Sequence, residues 1–287
     1  MAAVPGQLLL ANNNNCCYAN VCIQLLSHAP GILPGSSDMA KYMNALHSFK
    51  AQGFARVINA MPDINKWLDA QNQHRGYQGD PMEMLNAMFN AVRDDPALLK
   101  QFGAGDVQQI HCLEANCTYR SLKQHVDLYY SVSIPDPKQD TYTLEEFYMA
   151  LYAAEIVKEY HCDNCRALRP GHLSVAKRTL RNSATFPPYL LFHINRVSLE
   201  AKLTTRFCFP TRFSFFKQPE MEYQLLFIVI HASSATSRQG GHYYGYGLLP
   251  NGTYMCYNDT ACTVRETNPA QDTAVQRNVF MLLYKKM

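Results

Sequence analysis

An α+β fold is predicted for this chain by three features. Apolar residues recur at helical spacing in its first third, and runs of aromatic and aliphatic residues with strand character fill its last third. An apolar content of 47% against 17% charged residues supplies a core for both to pack on. At 287 residues the chain is long enough for one large domain or two small ones.

The elements follow in order. The asparagines at 12–15 form a turn, and Val21, Ile23, Gln24, Leu25 and Leu26 continue as a short buried helix with Cys17 at its N-terminal end. Asp38 caps a second helix in which Met39, Tyr42, Met43, Leu46 and Phe49 share a face. Asp80 and Pro81 open a third, with Met84, Leu85, Met88 and Phe89 on one side and proline where the first turn tolerates it. Residues 126–134 and 155–160 are predicted strands, separated by a short helix around 143–151. Strands are then expected at 189–197, 223–231, 243–249, 253–257 and 279–284, broken by Gly, Pro, Asn and Ser. The small-residue stretch 233–241 is a loop leading into His242.

Bulk numbers exclude several classes. A net charge of +3 with no dense basic run argues against nucleic acid; the nearest candidate, Lys177, Arg178 and Arg181, is a solvated strand face. No apolar run approaches the length of a membrane span, and residues 1–10 lack the basic n-region of a signal peptide. Ten cysteines without an export signal read as reduced thiols for catalysis, metal or packing, so a cytoplasmic or nuclear protein is expected.

Two short blocks carry the chemistry. The first runs Asn12 to Asn20 (Asn-Asn-Asn-Asn-Cys-Cys-Tyr-Ala-Asn), and the second is Gly240-Gly241-His242-Tyr243-Tyr244, with Tyr257-Asn258-Asp259 just downstream. Together they read as a Cys-His-Asn/Asp hydrolase whose parts meet only after folding. A thiol becomes a good nucleophile on ionising, and a helix N-terminus or an imidazolium lowers its pKa; Cys17 is placed for both. Cys16 and Cys22 have no such role, the latter lying more than one turn down the helix as core. Asn12 is either a turn residue or an amide donor to the developing oxyanion, beside the backbone N–H of Cys17. His242 would take the thiol proton, with Asn258 or Asp259 accepting from its other nitrogen to set the tautomer.

A second constellation lies in the middle of the chain. Cys112-x4-Cys117 and Cys162-x2-Cys165 suit a tetrahedral zinc site built from two turns, with His111 and His161 as flanking substitutes.

In these blocks the chain resembles the ubiquitin-specific proteases, the papain-like deubiquitinating cysteine peptidases. The segment 12–26 is similar to the family's Cys box, and Gln78-Gly-Asp80-Pro-Met-Glu83-Met-Leu85 to its Gln-x-Asp-x-x-Glu-x-Leu box. The cysteine pairs fall where the family's fingers carry zinc. Leu191-Phe-His193-Ile-Asn-Arg196-Val197 resembles the His-Leu-Lys-Arg-Phe strand, 223–231, 240–246 and 254–259 the His box, and 280–284 the closing strand.

The resemblance implies one papain-like catalytic domain over 1–287, with a thumb at about 8–100, fingers at about 105–180 and a palm at about 185–287. It implies Cys17 as nucleophile, His242 as base, Asn258 as its orienter with Asp259 assisting, Asn12 as oxyanion donor, and structural zinc on Cys112, Cys117, Cys162 and Cys165. Asp80 and Glu83 would receive the arginines of ubiquitin's tail. Read alone, that pair is a solvated first helical turn favoured by the macrodipole. Gly240, Gly241 and Tyr244 would line the slot for the tail's Gly-Gly end. The implied substrates are ubiquitin or ubiquitinated proteins.

Departures from the family pattern are local. Asn14 stands where the family usually has Gly, with Asn15 following, and asparagine is the non-glycine residue best able to hold a positive φ. Cys16 replaces the usual Thr, Ala19 a bulkier residue, Tyr254 the usual Trp, and Asn258 the commoner Asp. A protease for a ubiquitin-like modifier sharing the tail, and a catalytically inactive ubiquitin-binding scaffold, are the alternatives. A zinc-bearing structural protein would explain the middle cysteines and nothing else.

Overall fold

The computed structural model describes residues 8–10, 12, 15–29, 56–58, 79–91, 96–134, 139–182, 186–196, 202–214, 221–233 and 240–287. The helix expected over 38–49 and most of the loop at 233–241 lie outside these residues, as do Asn13, Asn14, Gln78 and Val197.

The first part contains β1 (Leu8–Leu10), α1 (Cys17–Ser27), β2 (Arg56–Ile58), α2 (Pro81–Ala91) and α3 (Pro96–Phe102). The middle runs β3 (Ala104–Cys112), β4 (Arg120–Asp127), β5 (Tyr130–Ser133), β6 (Thr141–Thr143), α4 (Leu144–Leu151), β7 (Glu155–Tyr160), α5 (Asp163–Leu168) and β8 (Ser174–Asn182). The last part is β9 (Tyr189–Asn195), β10 (Arg206–Cys208), β11 (Arg212–Ser214), β12 (Glu222–Ala232), β13 (His242–Leu248), β14 (Tyr254–Asn258), β15 (Ala261–Arg265), α6 (Thr273–Asn278) and β16 (Val279–Lys286).

The principal sheet has the path β15-β14-β13-β12-β16-β9-β5, with β11 added on β12. Its pairs are antiparallel except β5 with β9. Alternation divides its side chains between two cores. On one face Leu191, Phe227, Val229, Tyr243, Met255, Met281 and Leu283 join the cluster that includes α1 and α2. On the other, Phe192, Ile194, Leu225, Ile228, Ile230, Leu282 and Tyr284 join a cluster with Tyr142, Leu144 and Phe147. Strands covered on both faces read as unbroken apolar runs, which is why β9, β12 and β16 are legible in the sequence. A register shift between Leu225 and Phe227 in β12 turns these two residues to opposite cores.

α1 is buried along its whole length. It packs against β13, α2, β12 and β14, which places its N-terminal end beside the start of β13. Each fully buried leucine or phenylalanine in these cores contributes roughly 1.5–3 kcal/mol. Arg196, 3% exposed, acts as a polar rivet among them. Its guanidinium donates to the carbonyls of Val279, Leu203, Thr205 and Gln276. Burial lowers its pKa to about 10.

A separate four-stranded antiparallel sheet, β4-β3-β8-β7, forms the middle region. One correction falls here. The single strand expected at 126–134 is two, because β4 ends at Asp127 in this sheet and β5 begins at Tyr130 in the principal one. Neither β3 nor β15 stood out in the sequence. Both carry polar or half-exposed faces without strong alternation. The short helix α4 starts as expected, with a capping box. Thr143 Oγ1 accepts from Glu146 N–H, and the Glu146 carboxylate accepts from Thr143 N–H.

Candidate active site

α1 begins at Cys17, and the residue before it is anchored from outside the helix. Asn12 Oδ1 accepts from Cys16 N–H at 2.9 Å and from the Cys16 thiol at 3.3 Å, and Cys16 O accepts from Ala19 and Asn20 N–H. The preceding Asn15 has φ 61, a left-handed conformation that asparagine tolerates better than other non-glycine residues.

The Cys17 thiol sits under the start of β13. Burial holds its pKa above the ordinary thiol range, a hydrogen bond from Tyr243 N–H opposes this, and the Asp259 carboxylate adds to the rise. N–H groups of Tyr18 and of Cys17 itself also pull it down. The lowered pKa expected from the helix N-terminus is therefore not the resting condition. At 3% exposure, desolvation outweighs the donors.

Tyr243 follows His242 directly, so its bond to the sulfur sets the thiol against the first residues of β13, the strand that starts with the histidine. β13 and β14 form an antiparallel pair in register at Gly245 with Tyr257, which puts the start of β13 next to the end of β14. His242 Nε2 accordingly lies 2.6 Å from Asn258 Oδ1 and 3.9 Å from Asp259 Oδ2. With Nε2 so engaged, Nδ1 is the nitrogen left for a thiol proton. Asp259, at φ 51, occupies the turn into β15.

Both Asp259 oxygens are held by amides. Asn12 Nδ2 donates to Oδ2 at 2.7 Å, and Asn20 Nδ2 donates to Oδ1 at 2.8 Å. Asn12 thus turns one amide hydrogen onto a carboxylate. Asn20 was not singled out in the sequence, although a polar side chain ahead of the apolar run from Val21 to Leu26, one turn from Cys17, is the signal that marks it.

Asp80 and Glu83 open α2. Asp80 Oδ1 accepts from Met82 N–H at 2.6 Å, and Cys22 Sγ donates to Pro81 O at 3.1 Å, tying α2 to α1. Burial raises the Asp80 pKa; the Met82 N–H lowers it, and the Glu83 charge adds to the rise. The Tyr243 phenol, itself raised by burial, also feels the charges of Asp80, Cys17, Cys22 and Glu83, so this ring is near both the thiol and the acid pair.

Gly241 admits no side chain. A Cβ there would lie 2.4 Å from His231 Nε2, and His231 is locked by stacking on Tyr243 at 4.3 Å. The close approach is to the chain's own histidine. Gly240 immediately precedes it, and Tyr244 is half-buried with its ring 6.2 Å from that of His242.

At the far end of the middle sheet, Cys112, Cys117, Cys162 and Cys165 bring their sulfurs within 4.8 Å of one another. Two of the separations are 3.8 Å (Cys112 to Cys165) and 3.6 Å (Cys117 to Cys162). A tetrahedron with metal–sulfur bonds of about 2.3 Å has edges of about 3.8 Å, so the four thiols fit zinc. Against a hydrogen bond from Tyr119 N–H, burial and the neighbouring sulfurs hold the Cys117 thiol at about 12. Among the described residues, neither His111 nor His161 joins the cluster.

A family model for ubiquitin carboxyl-terminal hydrolases matches residues 9–284. The chain belongs to the ubiquitin carboxyl-terminal hydrolase family. It is a cysteine-type deubiquitinase with the α+β, papain-like architecture of that family. Among curated proteins it is similar to "Probable ubiquitin carboxyl-terminal hydrolase 16" of Schizosaccharomyces pombe, 24% identical over 333 residues, covering all of this chain and 67% of that protein. Among solved structures it is similar to a chain of the SAGA DUB module, containing Ubp8, Sgf11, Sus1 and Sgf73, bound to monoubiquitin. That likeness has a TM-score of 0.73 at 18% identity, covering all of this chain and 72% of the other. No helix among the described residues of this hydrolase is long and apolar enough to cross a membrane.

Proposed function

We propose that Cys17, His242 and Asn258 cleave the peptide or isopeptide bond after the C-terminal glycine of ubiquitin. One observation carries the reading: Cys17 Sγ accepts from the backbone of Tyr243, next to a His242 whose Nε2 is 2.6 Å from Asn258 Oδ1. His242 Nδ1 takes the thiol proton, and the thiolate attacks the glycine carbonyl carbon. The oxyanion is met by Cys17 N–H and the second amide hydrogen of Asn12. His242 returns the proton to the leaving amine, and water, deprotonated by the same imidazole, then hydrolyses the thioester. Asp259 supports the arrangement from 3.9 Å.

The test is incubation with ubiquitin bearing a C-terminal electrophile. A single covalent adduct on Cys17 is expected. No adduct would identify a binding scaffold, and preferential reaction of an equivalent ubiquitin-like probe would move the specificity to that modifier.

Asp80 and Glu83, one helical turn apart, are proposed to bind the arginines of the ubiquitin tail by charge-assisted hydrogen bonds worth roughly 1.5–3 kcal/mol each. Glu83→Arg is the cleaner variant, because Glu83 is exposed whereas Asp80 also caps its helix. It is expected to raise KM for a ubiquitin fluorogenic amide at least tenfold, and Asp80→Arg to do so further. Alkylation of Cys17 by a small thiol reagent should be unchanged. Equal losses with both reagents would contradict the tail-binding role.

Zinc on the four cysteines would be structural, cross-linking the β3–β4 turn to α5, as the sulfur spacing supports. All ten thiols are free, which supports a reducing cytoplasmic or nuclear setting; a tagged chain excluded from both compartments would contradict it.

A further inference from the structure

We propose that Asn20 is a positioning residue for this reaction. Its buried carboxamide ties the helix bearing the nucleophile to the turn that orients the catalytic imidazole. The proposal rests on the reading of Cys17 and His242 given above.

Asn20 is 3% exposed within a helix whose neighbouring positions are Ala19, Val21 and Cys22, all buried. A primary amide in such a place costs free energy unless its groups are used. Its use is specific: Nδ2 donates to Asp259 Oδ1 at 2.8 Å, across the gap between α1 and the β14–β15 turn. Asn20 lies one helical turn from Cys17, so one rigid element carries both the sulfur and the group that grips the turn.

The turn needs gripping. Asp259 has φ 51, a conformation that costs an L-residue of order 1 kcal/mol and persists only where its surroundings hold it. Three contacts do so. Leu10 N–H donates to Asp259 O at 3.2 Å, Asn12 Nδ2 to Oδ2, and Asn20 Nδ2 to Oδ1. Asn12 is exposed, and water can replace its amide. Asn20 is buried, which makes it the rigid member. Asn20, Gln24, Tyr243 and Asp259 line one small pocket, so truncating the amide opens space directly beside the carboxylate. Asn258 precedes Asp259 in the chain and carries the oxygen 2.6 Å from His242 Nε2. Displacing the turn therefore displaces the imidazole from the thiol, while Asp80 and Glu83 on α2 are untouched. A misplacement of about 1 Å at a reacting centre can cost about a hundredfold in rate.

The experiment measures kcat and KM on a ubiquitin C-terminal fluorogenic amide for Asn20→Ala, Asp259→Ala and the double variant, with thermal melts of each. Asn20→Ala is expected to lower kcat about 10- to 100-fold and to change KM less than about threefold. In the Asp259→Ala background the same substitution should cost less than about threefold, because its route to the imidazole is already cut. Equal costs in both backgrounds, or a rise in KM with unchanged kcat, would overturn the positioning role. If Asn20→Ala does not melt cooperatively, Asn20→Ser takes its place: a hydroxyl too short to reach Asp259 should give the same kcat loss, and wild-type kcat overturns the proposal. Adduct formation by the unmodified chain separates the two readings. With no adduct the assignment of Cys17 fails and this role with it; with an adduct and full kcat in the Asn20 variant, only the positioning role fails.

Discussion

Replacing Cys17 by alanine is expected to abolish ubiquitin cleavage, lowering kcat by a factor on the order of 10⁴ or more, while Cys16→Ala and Cys22→Ala remain within about tenfold of the parent chain. The three thiols lie within seven positions on or beside one helix, and the structure separates them by what each sulfur meets. Cys16 donates to Asn12 Oδ1, which anchors the segment just ahead of the helix. Cys22 is fully buried, donates to Pro81 O, and is held well above the thiol range by burial and then by the Asp80 charge. Cys17 alone meets the backbone beside His242. In the proposed route His242 takes the Cys17 proton, so His242→Ala should be nearly as damaging. The measurement is hydrolysis of a fluorogenic ubiquitin amide, with a thermal melt to show that each variant folds. Residual cleavage in Cys17→Ala, or equal loss in Cys16→Ala, would place the nucleophile elsewhere.

Removing the metal is expected to have the second largest effect. The middle sheet has almost no hydrophobic core of its own: β4 is exposed along nearly its whole length, and the local cluster is three buried cysteines packed by Cys117, Tyr119 and Tyr160. Small layers of this kind hold together through cross-links. Structural zinc contributes an apparent ~10–16 kcal/mol in small domains, comparable to the stability of a whole domain. Purified protein should contain one zinc per chain. Cys162→Ser or a strong chelator should melt the middle sheet and raise KM for ubiquitin substrates, while Cys17 alkylation by a small reagent stays within about threefold, because the principal sheet has separate cores. Absence of metal, or a melt indifferent to chelation, would show the thiols to be packing only.

Some of this was legible from residue order. The strands β9, β12 and β16 were, because burial on both faces demands continuous apolar runs. So was the start of α2, since Asp and Pro at a helix entrance have local physical reasons to be there. The middle sheet was less legible. Strands such as β3 and β4, with half-exposed or exposed faces, need no alternation, and an aromatic run through 126–134 does not disclose that its two ends belong to different sheets.

The candidate site divides in the same way. Which residue types were present, Cys17, His242, Asn258 and the four zinc-competent cysteines among them, was a property of the chain alone, because reactivity is written in side-chain chemistry and cysteine spacing. What each does at rest was decided by packing. Asn12 reaches a carboxylate, Asn20 grips Asp259 from 239 positions away, His231 forbids a side chain at Gly241, and the Cys17 thiol rises instead of falling in pKa. Desolvation and close approach depend on which distant segments share a volume, and no local pattern of residues encodes that volume.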